Sequence, residues 1–493
     1  MKKQRIIAYA LTGVSVLGAL AGCGKEEKQT NENVTLKYVM IGPGQQEDSN
    51  KVWAKFNEEL HKKLPNVTVD FEVIPIAEYS QKFMLMLASR EKVDIASTYG
   101  LSFDEEVGNG TFADITELID KYGKEMRELL PDYLFDYTTY DGKIYGIPTY
   151  QMLSVPTSMK TQKALAEKYL DEDGLTAELN SNVRVTDKTI SYVTDYLQKL
   201  KDNGELRKGP QNVPFTGKGF DRIVDNYGYF FDDEKCTVYY MYQTDEYLKD
   251  IKTWHEWLSK GFIREDIKTN DDWNKFTESG WVEWTGNYEP WSDENESETY
   301  GFAISNIPYS DKYYIPMSNT AGGTAILEAC KNKEEAMQVL NLIQSDKDLY
   351  NLLVYGIEGE HYTKVSDDEI KTNTTSEYGD NDSKYGLWKW VVGNTQLAYR
   401  TQFNPDGYKE WVFDEINSST LKSKLIGFHP ELDSISDDLT QISSLRSEYY
   451  NSSRDSGNMD RYNEWMEKIT LAGNQRIIDE LQRQVDEFLA SNK

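Results

Sequence analysis

The chain has 493 residues and a formal net charge of −29, with 83 acidic against 54 basic side chains. A surface of that sign repels phosphate backbones and anionic headgroups, which excludes nucleic acid as a partner and a peripheral basic membrane patch. The length, and an aromatic content of 13% with 34 Tyr and 11 Trp, exceed what one core uses, so two or more domains are expected.

Lys2, Lys3 and Arg5 precede an apolar run from residue 6 to residue 22, the n-region and h-region of a secretory signal. The run ends in Leu20-Ala21-Gly22-Cys23, which resembles a bacterial lipobox. In proteins with that motif the chain is cut before the cysteine and its thiol carries diacylglycerol. Residues 1–22 are therefore expected to be removed, Cys23 to be lipidated, and 23–33 to be a polar tether. No later run approaches the ~20 apolar residues of a bilayer span, so lipid is the expected anchor, on the outer face of the cell membrane.

Residues 34–40 alternate as a strand does, and 49–62 carry Val52, Trp53, Phe56 and Leu60 at helical spacing. A strand at 67–74, a helix at 80–89 and a strand at 93–98 follow. This alternation predicts a parallel sheet wrapped by helices, with ligand beyond the carboxyl ends of the strands. Gln45, after the first strand, and Tyr99, after the third, fall at that mouth. Asp141-Gly142 reads as a tight hairpin turn. Segments 191–201 and 245–260 are amphipathic helices. Segment 273–291 has no clean period, and 313–327 is extended and interrupted by glycine. Residues 333–345 are helical, as is most of the chain from 408 onward.

His61, His255, His361 and His429 lie far apart and make no metal-ligand pattern; no cofactor is expected. Cys236 and Cys330 have no partner spacing and are expected to be free thiols in different lobes. Six of the eleven tryptophans fall between 254 and 291. Trp254 and Trp257 sit at helical spacing, as core residues do. Trp284, Tyr288 and Trp291 lie near Gly286 and Pro290, where flat faces can stay exposed. Such faces suit the C–H faces of sugar rings, and Asn287 can bond hydroxyls. Tyr150, Glu358 and Asn394 complete the candidate ligand contacts.

Several short motifs, in this order, resemble the extracellular solute-binding proteins of ABC importers, in the sugar-binding lipoprotein group with an extended C-terminal helical region. They are 93–96 (Val-Asp-Ile-Ala), 141–148 (Asp-Gly-Lys-Ile-Tyr-Gly-Ile-Pro) and 254–263 (Trp-His-Glu-Trp-Leu-Ser-Lys-Gly-Phe-Ile) with Asp266. Segments 325–342, 355–362 and 393–396 continue the series, and 427–430 (Gly-Phe-His-Pro) would open the C-terminal region.

The resemblance implies an α/β fold, two-lobed and periplasmic-binding-protein-like (class II type), with an interlobe cleft and extra C-terminal helices. The first lobe is expected from 34–147 plus about 312–355, the second from 148–311 plus about 356–493. Crossings are expected near 148, 305–318 and 355–359. The implied function is capture of an oligosaccharide by a monomer, for delivery to ABC permease transmembrane subunits, without catalysis. A secreted glycosidase, a ligand-sensing subunit and a peptide receptor of the same fold are the alternatives; 83 acids make chance carboxylate pairs, which weakens the first of these.

Overall fold

The computed structural model describes residues 33–491 except 155–156, 207–212, 214–216, 264–282, 289–290, 292–296, 298–300, 309–313, 318–321, 375–383, 420 and 453–458. Cys23, the signal segment, most of the tether, Trp273 and Trp281 lie outside the described residues. In chain order the main elements are β1 (Val34–Gly42), α1 (Ser49–Leu60), β2 (Val67–Pro75), α2 (Tyr79–Ser89), β3 (Ile95–Ser97), β4 (Ile147–Pro148) and β5 (Thr157–Gln162). Then come α3 (Asp187–Asp202), α4 (Asp245–Ser259), β6 (Glu283–Asn287), β7 (Ile304–Pro308), β8 (Gly323–Ile326), α5 (Lys333–Ser345) and α6 (Lys347–Tyr355). Helices α7 (Ser436–Ser452), α8 (Met459–Leu471) and α9 (Asn474–Ser491) close the chain.

The first lobe is built on a sheet ordered β2-β1-β3-β8-β4. β1 runs parallel to β2 from Val34 opposite Val67 to Gly42 opposite Pro75, and parallel to β3 at Tyr38 and Val39. β8 is antiparallel to both of its neighbours. Every residue from Tyr38 to Gly42 is buried, so both faces of the sheet are covered, as parallel sheets require. α1 supplies one cover: Val52, Phe56 and Leu60 recur every fourth residue, and the Phe56 ring meets Phe71 of β2 edge-on at 5.2 Å.

The second lobe has two cores. One lies on the antiparallel sheet β6-β5-β7 and packs Met159 and Ile307 against Val193, Tyr196, Trp254 and Trp257 of α3 and α4. Thr186 caps α3, accepting from the Thr189 N–H at 3.1 Å. Segment 273–291, which has no clean period, contains strand β6; pairing with β5 decides this where periodicity could not. The other core joins the strands Phe220–Val224 and Tyr227–Phe230 to α7, α8 and α9. The Tyr227 hydroxyl donates to Asn474 (2.6 Å) and that of Tyr462 to the Tyr242 carbonyl (2.8 Å). Cys236 and Cys330 are buried free thiols, one in each lobe. Burial pushes them up to about 11 and 12.

Residues 385–416 depart from the expected division. Tyr385, Leu387, Val391, Trp411, Val412 and Ile416 are buried in the first core, whereas Leu425 and Phe428 belong to the second lobe. The third crossing is therefore at 417–424 and not at 355–359, where Gly356 and Gly359 make a turn with positive φ.

The three crossings form one strap. Asn417 accepts from the Leu153 N–H (3.0 Å) and donates to the Gln151 carbonyl (2.7 Å), tying the third crossing to the first. Residues Tyr314–Ile315 pair in parallel with Leu421–Lys422, and the Ser423 N–H donates to the Ile315 carbonyl (2.8 Å), tying the third to the second. On the second-lobe side, Asp221 is 1% exposed and accepts from the Met317 N–H at 3.0 Å. Burial pushes its carboxyl up to about 6, against opposing hydrogen bonds from Ser423, Met317 and Tyr229.

A carboxyl raised in the folded state adds stability below its unfolded value, and that stability is lost as pH rises through the folded one. The wild type is expected to gain about 1 kcal/mol on going from pH 7.5 to pH 5 relative to Asp221→Asn. Urea midpoints of both proteins across that window measure it; parallel pH profiles would show that the hinge carboxyl is not titrating there.

Candidate ligand-binding site

β1 and β3 end side by side, and the loops beyond them form the mouth of the first lobe. Tyr99 follows β3, and its ring meets Trp390 edge-on at 5.1 Å. Trp390 in turn stacks on Trp388, with centroids 5.7 Å apart and planes 11° apart. All three rings are half-buried. Trp388 caps a short helix, Lys389–Val392, that carries Trp390, and long-range bonds seat this segment beside the mouth. The Asp48 N–H donates to the Lys384 carbonyl (2.9 Å), and the Gln46 side chain accepts from the Gly386 N–H (2.9 Å). Behind them the Leu387 N–H reaches the Val354 carbonyl and the Tyr350 hydroxyl the Lys389 carbonyl.

The second lobe meets this wall from the edge of its own sheet. The first crossing enters at Thr157 and the second leaves after Pro308, so this end of β6-β5-β7 is the one that adjoins the first lobe. Asn287 pairs with Thr157 at that end, and Trp284 is in register with Lys160. Only the backbones of Trp284 and Asn287 are described. Tyr288 and Trp291, next along the chain, are half-buried against the first-lobe core. The Trp291 ring lies 5.2 Å from Trp411 and 5.9 Å from Tyr408. The Lys389 ammonium, between Trp388 and Trp390, sits 4.9 Å from the Tyr408 ring centre. Half-exposed aromatic rings from the ends of β3 and β6, from 388–390 and from 408 thus share one region.

The remaining candidates divide. Gln45 is exposed at the mouth, its amide 3.3 Å from Asn50. Tyr150 is 6% exposed, edge-on to Phe413 at 5.0 Å, and its carbonyl accepts from Thr395; it belongs to the first crossing. Burial pushes its hydroxyl up, and the Asn417 amide opposes this. Asn394 is fully buried: its oxygen accepts from the Gln396 N–H (3.2 Å), and its nitrogen donates to the Gln344 carbonyl (3.3 Å). That side chain holds a turn. Glu358 is exposed and bridges to Tyr362, in the turn that His361 closes by accepting from the Ile357 N–H at 2.9 Å.

Trp388, Trp390 and Tyr408, which the structure places beside Tyr99 and Trp291, were not among the residues singled out from the sequence. The available signal was Trp-Lys-Trp at 388–390, two indoles two residues apart with no helical period. Among the described residues, no group of three His, Cys, Asp or Glu is placed to hold a metal ion.

Residues 51–352 match the model of the bacterial extracellular solute-binding proteins, and 424–490 match a domain of unknown function. The chain belongs to the bacterial extracellular solute-binding protein family. It is 25% identical to a carbohydrate ABC transporter substrate-binding protein of Streptococcus pneumoniae serotype 4 (strain ATCC BAA-334 / TIGR4), over 529 aligned residues covering all of both chains. Its fold is also that of the N-glycan transport solute binding protein (NgtS) of Streptococcus pneumoniae, at 21% identity. That alignment covers 93% of this chain and 100% of the other, with a TM-score of 0.74. Against NgtS in complex with Man1GlcNAc the TM-score is 0.65, at the same identity, over 92% of this chain and 99% of the other.

The two-lobed solute-binding fold accounts for Asn394 as a structural residue. Asn394→Ala is expected to lower unfolding free energy by about 1–3 kcal/mol, because the Gln344 carbonyl and Gln396 N–H lose their partner. Chemical denaturation measures it, and an unchanged midpoint would return Asn394 to the ligand contacts.

Proposed function

We propose that this protein captures an oligosaccharide between its lobes and hands it to the transmembrane subunits of an ABC permease, held at the cell surface by lipid on Cys23. The observation that carries the reading is the group of half-exposed rings Tyr99, Trp388, Trp390, Tyr408 and Trp291, contributed by both lobes near the strand ends. A flat ring left partly open suits the C–H face of a pyranose, and several in succession suit a chain of them. Tyr288, with Asn287 and Trp284 on the adjoining strand and Gln45 at the mouth, would add hydroxyl contacts and further stacking. The net charge of −29 favours a neutral glycan over a polyanion. NgtS, which shares the fold, is described in complex with Man1GlcNAc, which makes that glycan a rational first probe. Closure of the lobes on the ligand would exclude water and present one shape to the permease.

Tryptophan emission during titration with Man1GlcNAc, a panel of neutral glycans and a peptide library tests the ligand class. Saturable change with a glycan, and recovery of that glycan intact by mass spectrometry, is the expected result. Response to peptides alone, or glycan cleavage, would overturn it. With a responding glycan, Trp390→Ala is expected to weaken binding roughly 30-fold, the loss of one well-placed aromatic anchor; unchanged affinity would remove 388–390 from the site.

The anchor is tested separately. Cys23→Ala is expected to release the protein from the membrane fraction into the medium or to leave it as uncleaved precursor. Wild-type processing and retention in the variant would show that Cys23 is not the attachment point.

A further inference from the structure

The C-terminal unit at 424–490, a domain of unknown function, packs into a core of the second lobe. Leu425, Phe428, Ile435, Leu439, Ile477 and Leu481 share a core with Tyr227, Tyr229 and Tyr240, and the Gln482 side chain accepts from the Val238 N–H at 2.8 Å. Its first turn nevertheless reaches across to the first lobe. The His429 ring stacks on Tyr140, with centroids 3.7 Å apart and planes 22° apart. His429 Nδ1 is 3.3 Å from an Asp104 carboxylate oxygen, and the Tyr140 hydroxyl donates to the same oxygen. Gly427 has φ +81°, and a Cβ there would sit 3.2 Å from the Asp136 carbonyl, so the approach is a close one.

The seat on the first lobe is firm. Phe103, next to Asp104, stacks on buried Phe112 at 5.2 Å and lies 5.8 Å from Tyr140. Beside this contact the two lobes are parted by an open groove of about 1130 Å³, whose walls include Tyr133, Asp136, Lys424 and Phe488. Lys422, within the strap itself, lies 3.5 Å from the Tyr133 ring centre. Tyr133 Oη and His429 Nε2 are buried without a hydrogen-bond partner among the described residues.

We propose that His429, Tyr140 and Asp104 form a latch between the lobes, and that the C-terminal unit serves to set the balance between lobe arrangements. The contact spans the strap at 417–424, so a rotation of one lobe on the other must break or remake it. It touches none of the aromatic rings of the ligand site. It acts on affinity through the fraction of molecules able to bind, which enters the apparent Kd directly. One aromatic stack and one charged hydrogen bond shift such a balance roughly tenfold. The proposal rests on the reading of the protein as a two-lobed receptor, and its test needs no ligand.

Spin labels on Lys62→Cys in the first lobe and Asp202→Cys in the second, in the full chain carrying Cys23→Ser, report the interlobe distance; Cys236 and Cys330 are buried. Expected is a clear change in the ligand-free distance distribution for His429→Ala and for Tyr140→Ala. The double variant should move no further than either single one, since either change breaks the same contact. His429→Gln and Tyr140→Phe provide milder versions should an alanine variant fail to fold. Folded variants, judged by their unfolding midpoints, that keep the wild-type distribution would overturn the latch. Failure of Man1GlcNAc to bind would bear on the ligand class alone and leave this result standing.

Discussion

The hydrogen bonding of the three crossings into a single strap is the constraint from which the rest of this molecule follows. Two lobes joined by three separate linkers would sample many orientations. Here the third crossing is bonded to the first through Asn417 and to the second through Ile315 and Ser423. The first-lobe end is held beside Tyr150 through Asn417, and the second-lobe end by Asp221 through the Met317 N–H. A short bonded strap turns an open set of orientations into a balance between a small number of lobe arrangements, which is what a closing receptor needs.

That constraint explains where the aromatic rings sit. Rings exposed to water are costly, and a monomer keeps them exposed where a partner will cover them. Tyr99, Trp388 and Trp390 are supported from behind by the loop after β1 and by α6, which leaves their outer faces as a prepared surface. Trp291 arrives from the other lobe, at the end of β6, and already rests on Tyr408 and Trp411. The wall thus draws on both sides of the strap, and any lobe rotation changes its shape. On the C-terminal unit, His429 makes a further interlobe contact, with Tyr140 and Asp104.

Sequence and structure part company at particular residues for identifiable reasons. The first lobe's strands and α1 were legible because their burial patterns are local: a neighbour four residues away, or a buried run, is enough to read them. The crossing expected at 355–359 was misplaced because Gly356 and Gly359 carry the chemistry of any tight turn, and His361 closes that turn upon itself. The true crossing at 417–424 has no local signature, because its role is defined by Leu153, Ile315 and Asp221, far away in the chain. Asn394 looked like an available amide and proved to be a buried cap, since exposure is a property of the packed molecule.

By itself the sequence determined the acidic composition, the parallel sheet of the first lobe and the family, because each is written in composition, local period or motif. Only the tertiary structure decided that 385–416 belongs to the first core, that Trp388 and Trp390 stay half-exposed while Asn394 is buried, and that the C-terminal unit touches both lobes. These are contacts between residues from about thirty to almost three hundred positions apart. Side chains brought together over such separations leave no periodic trace, and only burial and hydrogen bonding in the assembled fold select which of them meet.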